Sequence, residues 1–142
     1  MEGKAALDAL GDAARWLNSA KRSGESGDYN LGIYALEMSV EIALKGVLIA
    51  LGIDYPKVHD ILPSVRLAIK EYKSKLPTIF VNNEAFILDT LRELLKLRGP
   101  AGYTFSSNIK IADLEGDYKK YLSSSVKTLE LCKNAIGLLS KR

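Results

Sequence analysis

The chain has 142 residues, 47% apolar and 26% charged, enough for one domain to bury a core and too apolar for a disordered segment. Its 20 Lys and Arg stand against 17 Asp and Glu, a formal charge of +3, which permits nucleic-acid binding without indicating it. A single cysteine, Cys132, excludes an internal disulfide and suits a reducing cytoplasm.

The N-terminal stretch MEGKAALDALGDAARW is charged throughout and lacks the apolar core of a signal peptide. The longest apolar stretch, around 42–53, is interrupted by Lys45 and too short to span a bilayer, so no membrane association is expected. Periodicity predicts a first helix from about Lys4 to Arg22, with Ala6, Leu10, Ala13, Leu17 and Ala20 on one face. Ser23-Gly24-Glu25-Ser26-Gly27 stops it, and Ser26 or Asp28 is a ready N-cap for the next.

The second helix is the most informative. Leu31, Ala35, Met38, Ile42 and Ile49 form one apolar set, and Ile33, Leu36, Val40, Leu44, Val47 and Leu51 another. At about 100° per residue these cover opposite flanks, so the helix packs on both sides. Between them Glu37, Glu41 and Lys45 share a face with Tyr34. A solvated strip is the simplest expectation for that face; a cleft lining near His59, or a subunit seam, is the sharper one. Two carboxylates one turn apart lack the Glu-x-x-His or second carboxylate pair of a di-metal bundle, so no metal centre is expected. The helix ends near Leu51-Gly52, where glycine can take the left-handed position past the C-terminus.

Pro63 belongs in the first turn of a third helix starting near Asp60, with Ile61, Val65, Ala68, Ile69 and Tyr72 inward, closed by Lys75-Leu76-Pro77. A fourth helix is expected from Asn82 or Asn83 to Leu97, after which Arg98-Gly99-Pro100-Ala101-Gly102 breaks the chain into a long loop reaching Asp113. The last helix, from about Leu114 to Leu139, repeats Tyr118, Leu122, Ser125, Leu129, Cys132, Ile136 and Leu139 at alternating spacings of four and three. Five amphipathic helices with short connections make an all-α, up-and-down helical bundle, one domain over 1–142. No P-loop, Gly-x-Gly-x-x-Gly or serine nucleophile elbow is present.

Gly27-Asp28-Tyr29, Glu41, Ala43-Leu44-Lys45, Gly52 and His59-Asp60 followed by Leu62 together resemble the HEPN family (higher eukaryotes and prokaryotes nucleotide-binding domains). The resemblance covers most of the chain and is specific mainly over 27–62. It implies a helical bundle, commonly a two-fold dimer with the functional cleft between protomers, and small members that act with a separate minimal nucleotidyltransferase in toxin–antitoxin pairs. Members with ribonuclease activity carry an arginine followed, after four to six residues, by a histidine. That pair suits metal-independent RNA cleavage, one nitrogen taking the 2′-hydroxyl proton while a fixed cation stabilises the phosphate.

Here the corresponding positions after Arg98 are Tyr103, Thr104 and Phe105, and after Arg92 they are Leu97, Arg98 and Gly99. No histidine falls in either window, and tyrosine is a poor general base near neutral pH. The lone histidine, His59, lies elsewhere, and its simplest role is to hold the turn before the third helix. Arg98 and Tyr103 are candidates to hold a phosphate and a base or ribose; the simpler alternative has Arg98 at its helix's C-terminal end and Tyr103 plugging the loop onto the bundle.

The sequence therefore favours a regulatory or binding module for nucleotide or RNA, cytoplasmic, homodimeric and partnered by a nucleotidyltransferase, without cofactor and with no confident catalytic residue. Its ligand-binding candidates are Arg98, Tyr103, His59, Lys45, Glu41 and Tyr34. A metal-independent endoribonuclease with a non-standard site, built from Arg98, Tyr103 and His59 of facing protomers, and a nucleotide-binding sensor using Arg98, Lys45 and Tyr103, are the alternatives.

Overall fold

A computed structural model describes residues 2–141. Six helices follow one another: α1 (Glu2–Glu25), α2 (Tyr29–Ala50), α3 (Leu62–Glu71), α4 (Thr78–Asn82), α5 (Glu84–Gly102) and α6 (Glu115–Ser140). Two 3-10 turns, Thr104–Ser106 and Ile111–Leu114, occupy the connection from α5 to α6. The architecture is an all-α bundle, and no strand occurs among the described residues. None of these helices is long and apolar enough to cross a membrane.

The α1–α2 hairpin is closed by Gly27 at φ 79°, and α2 itself ends at Gly52 with φ 77°. Both glycines sit one residue past the helix cap. The amide of Asp28 donates to the Ser23 carbonyl at 2.8 Å and that of Ile53 to the Leu48 carbonyl at 2.9 Å, while Gly27 and Gly52 donate to Gly24 and Ile49. This paired pattern satisfies the last carbonyls of each helix and needs a residue free to adopt positive φ.

Helix α2 is the bundle's axis, packed against α1, α5 and α6. Its contact with α1 is the most extensive, because both helices present small residues there. Ala6, Ala13 and Ala20 repeat every seven residues and are wholly buried. A Cβ on Gly46 would lie 3.2 Å from that of Ala9. The Ser39 hydroxyl donates to the Ala13 carbonyl at 2.7 Å, bridging the two backbones directly.

Helix α6 locks this pair with one side chain. Tyr118 is buried, its hydroxyl donates to the Ala20 carbonyl at 3.0 Å, and its ring passes between Gly24 and Gly32. Of the expected α6 repeat, Tyr118, Ser125, Cys132 and Ile136 are buried, joined by Thr128, Leu131 and Ala135; Leu122, Leu129 and Leu139 pack half-buried at the core's edge. The buried face is thus broader than a two-residue seam, as a helix covering both α1 and α2 requires.

Four boundaries differ from the sequence reading, α3 among them, since it ends at Glu71 ahead of Lys75-Leu76-Pro77. α1 continues through Ser23 and Gly24 to Glu25 before Gly27 stops it. A short α4 begins after Pro77 and buries Phe80, raising the helix count from five to six. Helix α5 runs through Pro100 to Gly102 instead of ending at Leu97. The proline removes only the amide that would reach the Lys96 carbonyl, on the exposed side of the last turn. Ala101, buried one residue later, anchors that turn to the core.

The Tyr118 lock separates helix propensity from packing. Alanine at the exposed Gly137, with open space at its Cβ position, should stabilise by up to about 1 kcal/mol. Alanine at Gly32 would place a Cβ 2.7 Å from the Tyr118 ring, and should destabilise by roughly 1–3 kcal/mol despite the same propensity gain. Thermal melts of the two variants check the opposite signs.

Candidate functional site

Glu37 and Glu41, one turn apart on α2, are 0% and 1% exposed. A solvated strip at these positions is thus excluded. The reason is tertiary: the C-terminal end of α5 closes over Glu37, and the connection between α2 and α3 closes over Glu41. The less covered face of α2 is instead apolar, with Leu31 exposed and Tyr34, Met38, Ile42 and Ile49 half-buried.

Each carboxylate meets a different set of cations. Lys45 Nζ donates to Glu41 Oε2 at 2.8 Å, and His59 Nδ1 lies 2.9 Å from Oε1. Burial alone would raise Glu41, but hydrogen bonds from Glu37, Lys45 and His59 outweigh it and hold the group below its ordinary range. Glu41 is therefore an ionised acceptor, so His59 carries its proton on Nδ1 and leaves Nε2 unprotonated when neutral. The turn before α3 is held by Asp60, whose Oδ1 accepts from the Leu62 amide at 3.1 Å.

Glu37 is in the opposite condition. Burial, its hydrogen bond with Glu41 and the negative charge of Glu41 push its carboxyl well above the carboxylate range, against the opposing charges of Arg98 and Lys45. Arg98 Nε lies 3.0 Å from Oε1, yet without the alignment of a hydrogen bond, and neither Glu37 oxygen finds a donor in line. Proximity argues for an ion pair and alignment against one. Desolvation next to a second carboxylate decides between them: a proton on Glu37 turns an orphaned anion into a donor to Glu41.

Arg98 is otherwise braced by Tyr34, whose ring centroid lies 4.7 Å from the guanidinium carbon. The two, with Leu95, Gly99, Gly102 and Tyr103, line a pocket of about 490 Å³. Tyr103 is 62% exposed, and Phe105 beside it is 85% exposed, the ring centroids 6.0 Å apart. Tyr103 does not plug the loop onto the bundle; it stands out from it. Arg98 is drawn sideways to Glu37 instead of serving only the helix end.

Lys45, Glu41 and His59 line a second pocket of about 560 Å³, with Tyr55, Met38 and Ile42 on its walls. Tyr55 also receives Lys57 Nζ, 4.0 Å from its ring centroid. The six sequence candidates thus divide into two groups, and the two pockets share no lining residue. Within one chain Arg98 and Tyr103 do not meet His59. Glu37, absent from the candidate set although it shares the strip of Glu41 and Lys45, lies between the groups, beside Arg98 on one side and Glu41 on the other.

The donor atoms of Glu37, Glu41 and His59 lie within 4.8 Å of one another, as a metal set would. Arg98 and Lys45 already stand against the two acids, so the cluster offers little net negative charge to a cation.

A family model described as HEPN domain matches residues 6–136. No curated protein matches the chain.

The Glu37 proton has a readable thermodynamic sign. Below the ordinary value of 4.5, folded and unfolded chains both hold it, so Glu37→Gln should leave stability nearly unchanged. Above that value the unfolded chain releases the proton while the folded chain retains it, so the wild type loses stability as pH rises until folded Glu37 ionises too. The variant should therefore melt higher than wild type at pH 7–8 and alike near pH 4. Paired denaturant titrations across that range check it.

Proposed function

The chain belongs to the HEPN domain family, and from that premise we propose that it is a binding module for RNA or nucleotide in place of a nuclease. The observation that carries this reading is the Arg98 pocket. A guanidinium stacked on Tyr34 opens beside the exposed Tyr103 and Phe105 rings, a cation for phosphate next to faces for bases. The positions where nuclease members place their histidine hold Tyr103, Thr104 and Phe105. An endoribonuclease built from Arg98 and His59 would need facing protomers, since in one chain they line different pockets.

Self-association is part of the proposal. The uncovered face of α2, with Leu31, Tyr34, Met38, Ile42 and Ile49, is a continuous apolar strip of the kind that a two-fold interface buries. The regulatory role is that of the small toxin–antitoxin members, acting with a minimal nucleotidyltransferase in the cytoplasm; the lone buried Cys132 accords with that compartment.

Fluorescence anisotropy with a short labelled single-stranded RNA, in the presence of chelator, tests the reading. Wild type should bind without shortening the RNA. Tyr103→Ala should weaken binding by about tenfold, the scale of one lost base–aromatic stack, and Arg98→Ala should weaken it at least as much. Cleavage by wild type, or binding that survives Arg98→Ala, contradicts it.

A further inference from the structure

We propose that His59 is a nucleophile for acyl transfer, in a pocket that takes a small, uncharged, activated ester. The site is separate from the Arg98 pocket and independent of what that pocket binds.

The geometry is that of a histidine held at one nitrogen for chemistry at the other. Glu41 is buried and both its oxygens are engaged, Oε2 by Lys45 Nζ at 2.8 Å and Oε1 by His59 Nδ1 at 2.9 Å. Lys45 fixes the carboxylate, and the carboxylate fixes the ring. A proton on Nδ1 leaves the lone pair on Nε2, across the ring from Glu41. The His59 side chain is 55% exposed although its partner is not, so the imidazole joins a buried anchor to the pocket that it lines. A nucleophile, a partner in hydrogen-bond reach and a third group that orients the partner together activate a weak nucleophile.

The walls set the substrate class. The pocket holds about 560 Å³, with Met38, Ile42, Ile49 and Tyr55 among its lining. Lys45 is the only lysine or arginine lining it, and that charge is met by Glu41. Asp8 and Asp12 add two carboxylates from α1. An anion entering here would face acids without a free cation, whereas an uncharged acyl group meets apolar side chains. Met38, Ile42 and Ile49 also belong to the strip proposed for self-association, so the pocket borders that seam.

In the first step Nε2 bonds to the ester carbonyl carbon, and the carbon–oxygen bond to the leaving group breaks, releasing an alkoxide or phenolate. The Nδ1 proton stays donated to Glu41, whose charge stabilises the acyl-imidazolium. Water then adds to the acyl carbon, the carbon–nitrogen bond breaks, and the acid leaves with one proton passed to solvent. His59 returns to its starting state, and the sum is ester plus water to acid plus alcohol.

Release of nitrophenolate from para-nitrophenyl acetate tests this, beside a counterpart ester made anionic by a ring carboxylate. Each rate is compared with that of free imidazole at the same concentration. Wild type should exceed imidazole by at least about tenfold on the uncharged ester, a small part of what positioning can contribute, and show no such advantage on the anionic one. His59→Gln, at an exposed position, should stay folded and fall to the uncatalysed rate. Glu41→Gln, its fold checked by thermal melting, should lose most of the advantage; where it does not fold, His59→Gln alone decides. No advantage over imidazole, or an undiminished rate in His59→Gln, overturns the proposal. A folded Glu41→Gln protein with the full rate overturns the part given to Glu41, and an equal advantage on the anionic ester overturns the substrate class. The RNA-binding reading stands in each case.

Discussion

Two acidic side chains buried one turn apart inside an apolar helix are the constraint on which the rest of this molecule depends. A lone buried carboxylate is too costly to keep unless it is paired or protonated, and here both solutions are used at once. Glu41 stays ionised because Lys45 and His59 converge on it. Glu37, left without an aligned donor, has its carboxyl pushed well above the carboxylate range by burial. Two segments distant in sequence thereby meet the centre of α2: the connection carrying His59 and the end of α5 carrying Arg98. The same arrangement divides the surface into an Arg98 pocket and a His59 pocket, with the acids as the buried partition between them.

The hydrophobic framework is what allows acids to be held so deeply. Alanines on α1 and Gly46 on α2 let the hairpin close to near backbone contact, and the buried Ser39 hydroxyl finds its acceptor across that interface. Tyr118 fixes α6 against both helices through a single threaded ring. With α1 and α6 occupying two sides of α2, the remaining sides are left to α5 and to the connection before α3, the segments that carry Arg98 and His59. Packing thus selects which charged groups can reach the acids.

Much of the framework was legible because it is local. The two-flank pattern of α2, Gly52 past its C-terminus, Pro63 opening α3 and the Tyr118–Ile136 repeat all rest on spacing or backbone chemistry within a few residues. The site was legible in its parts and not in its pairing. Glu37, Glu41 and Lys45 read first as a wet strip and second as a cleft lining near His59 or a subunit seam, because helical spacing shows that they share a face but not what covers it. The covering groups, His59 and Arg98, are 18 and 61 positions from their partners, beyond any local rule. Gly99-Pro100 read as a stop for the same reason, since the burial of Ala101 that carries α5 to Gly102 is a tertiary fact. The five-residue α4 is too short for periodicity to register.

Carbon-13 NMR of glutamate carboxyl groups reads the protonation of Glu37 directly, with Glu37→Gln and Glu41→Gln providing the assignments. At pH 7 the Glu37 carboxyl carbon should resonate as a protonated acid while that of Glu41 resonates as a carboxylate. Two ionised resonances would contradict it, and would make Glu37 the permanent counter-ion of Arg98.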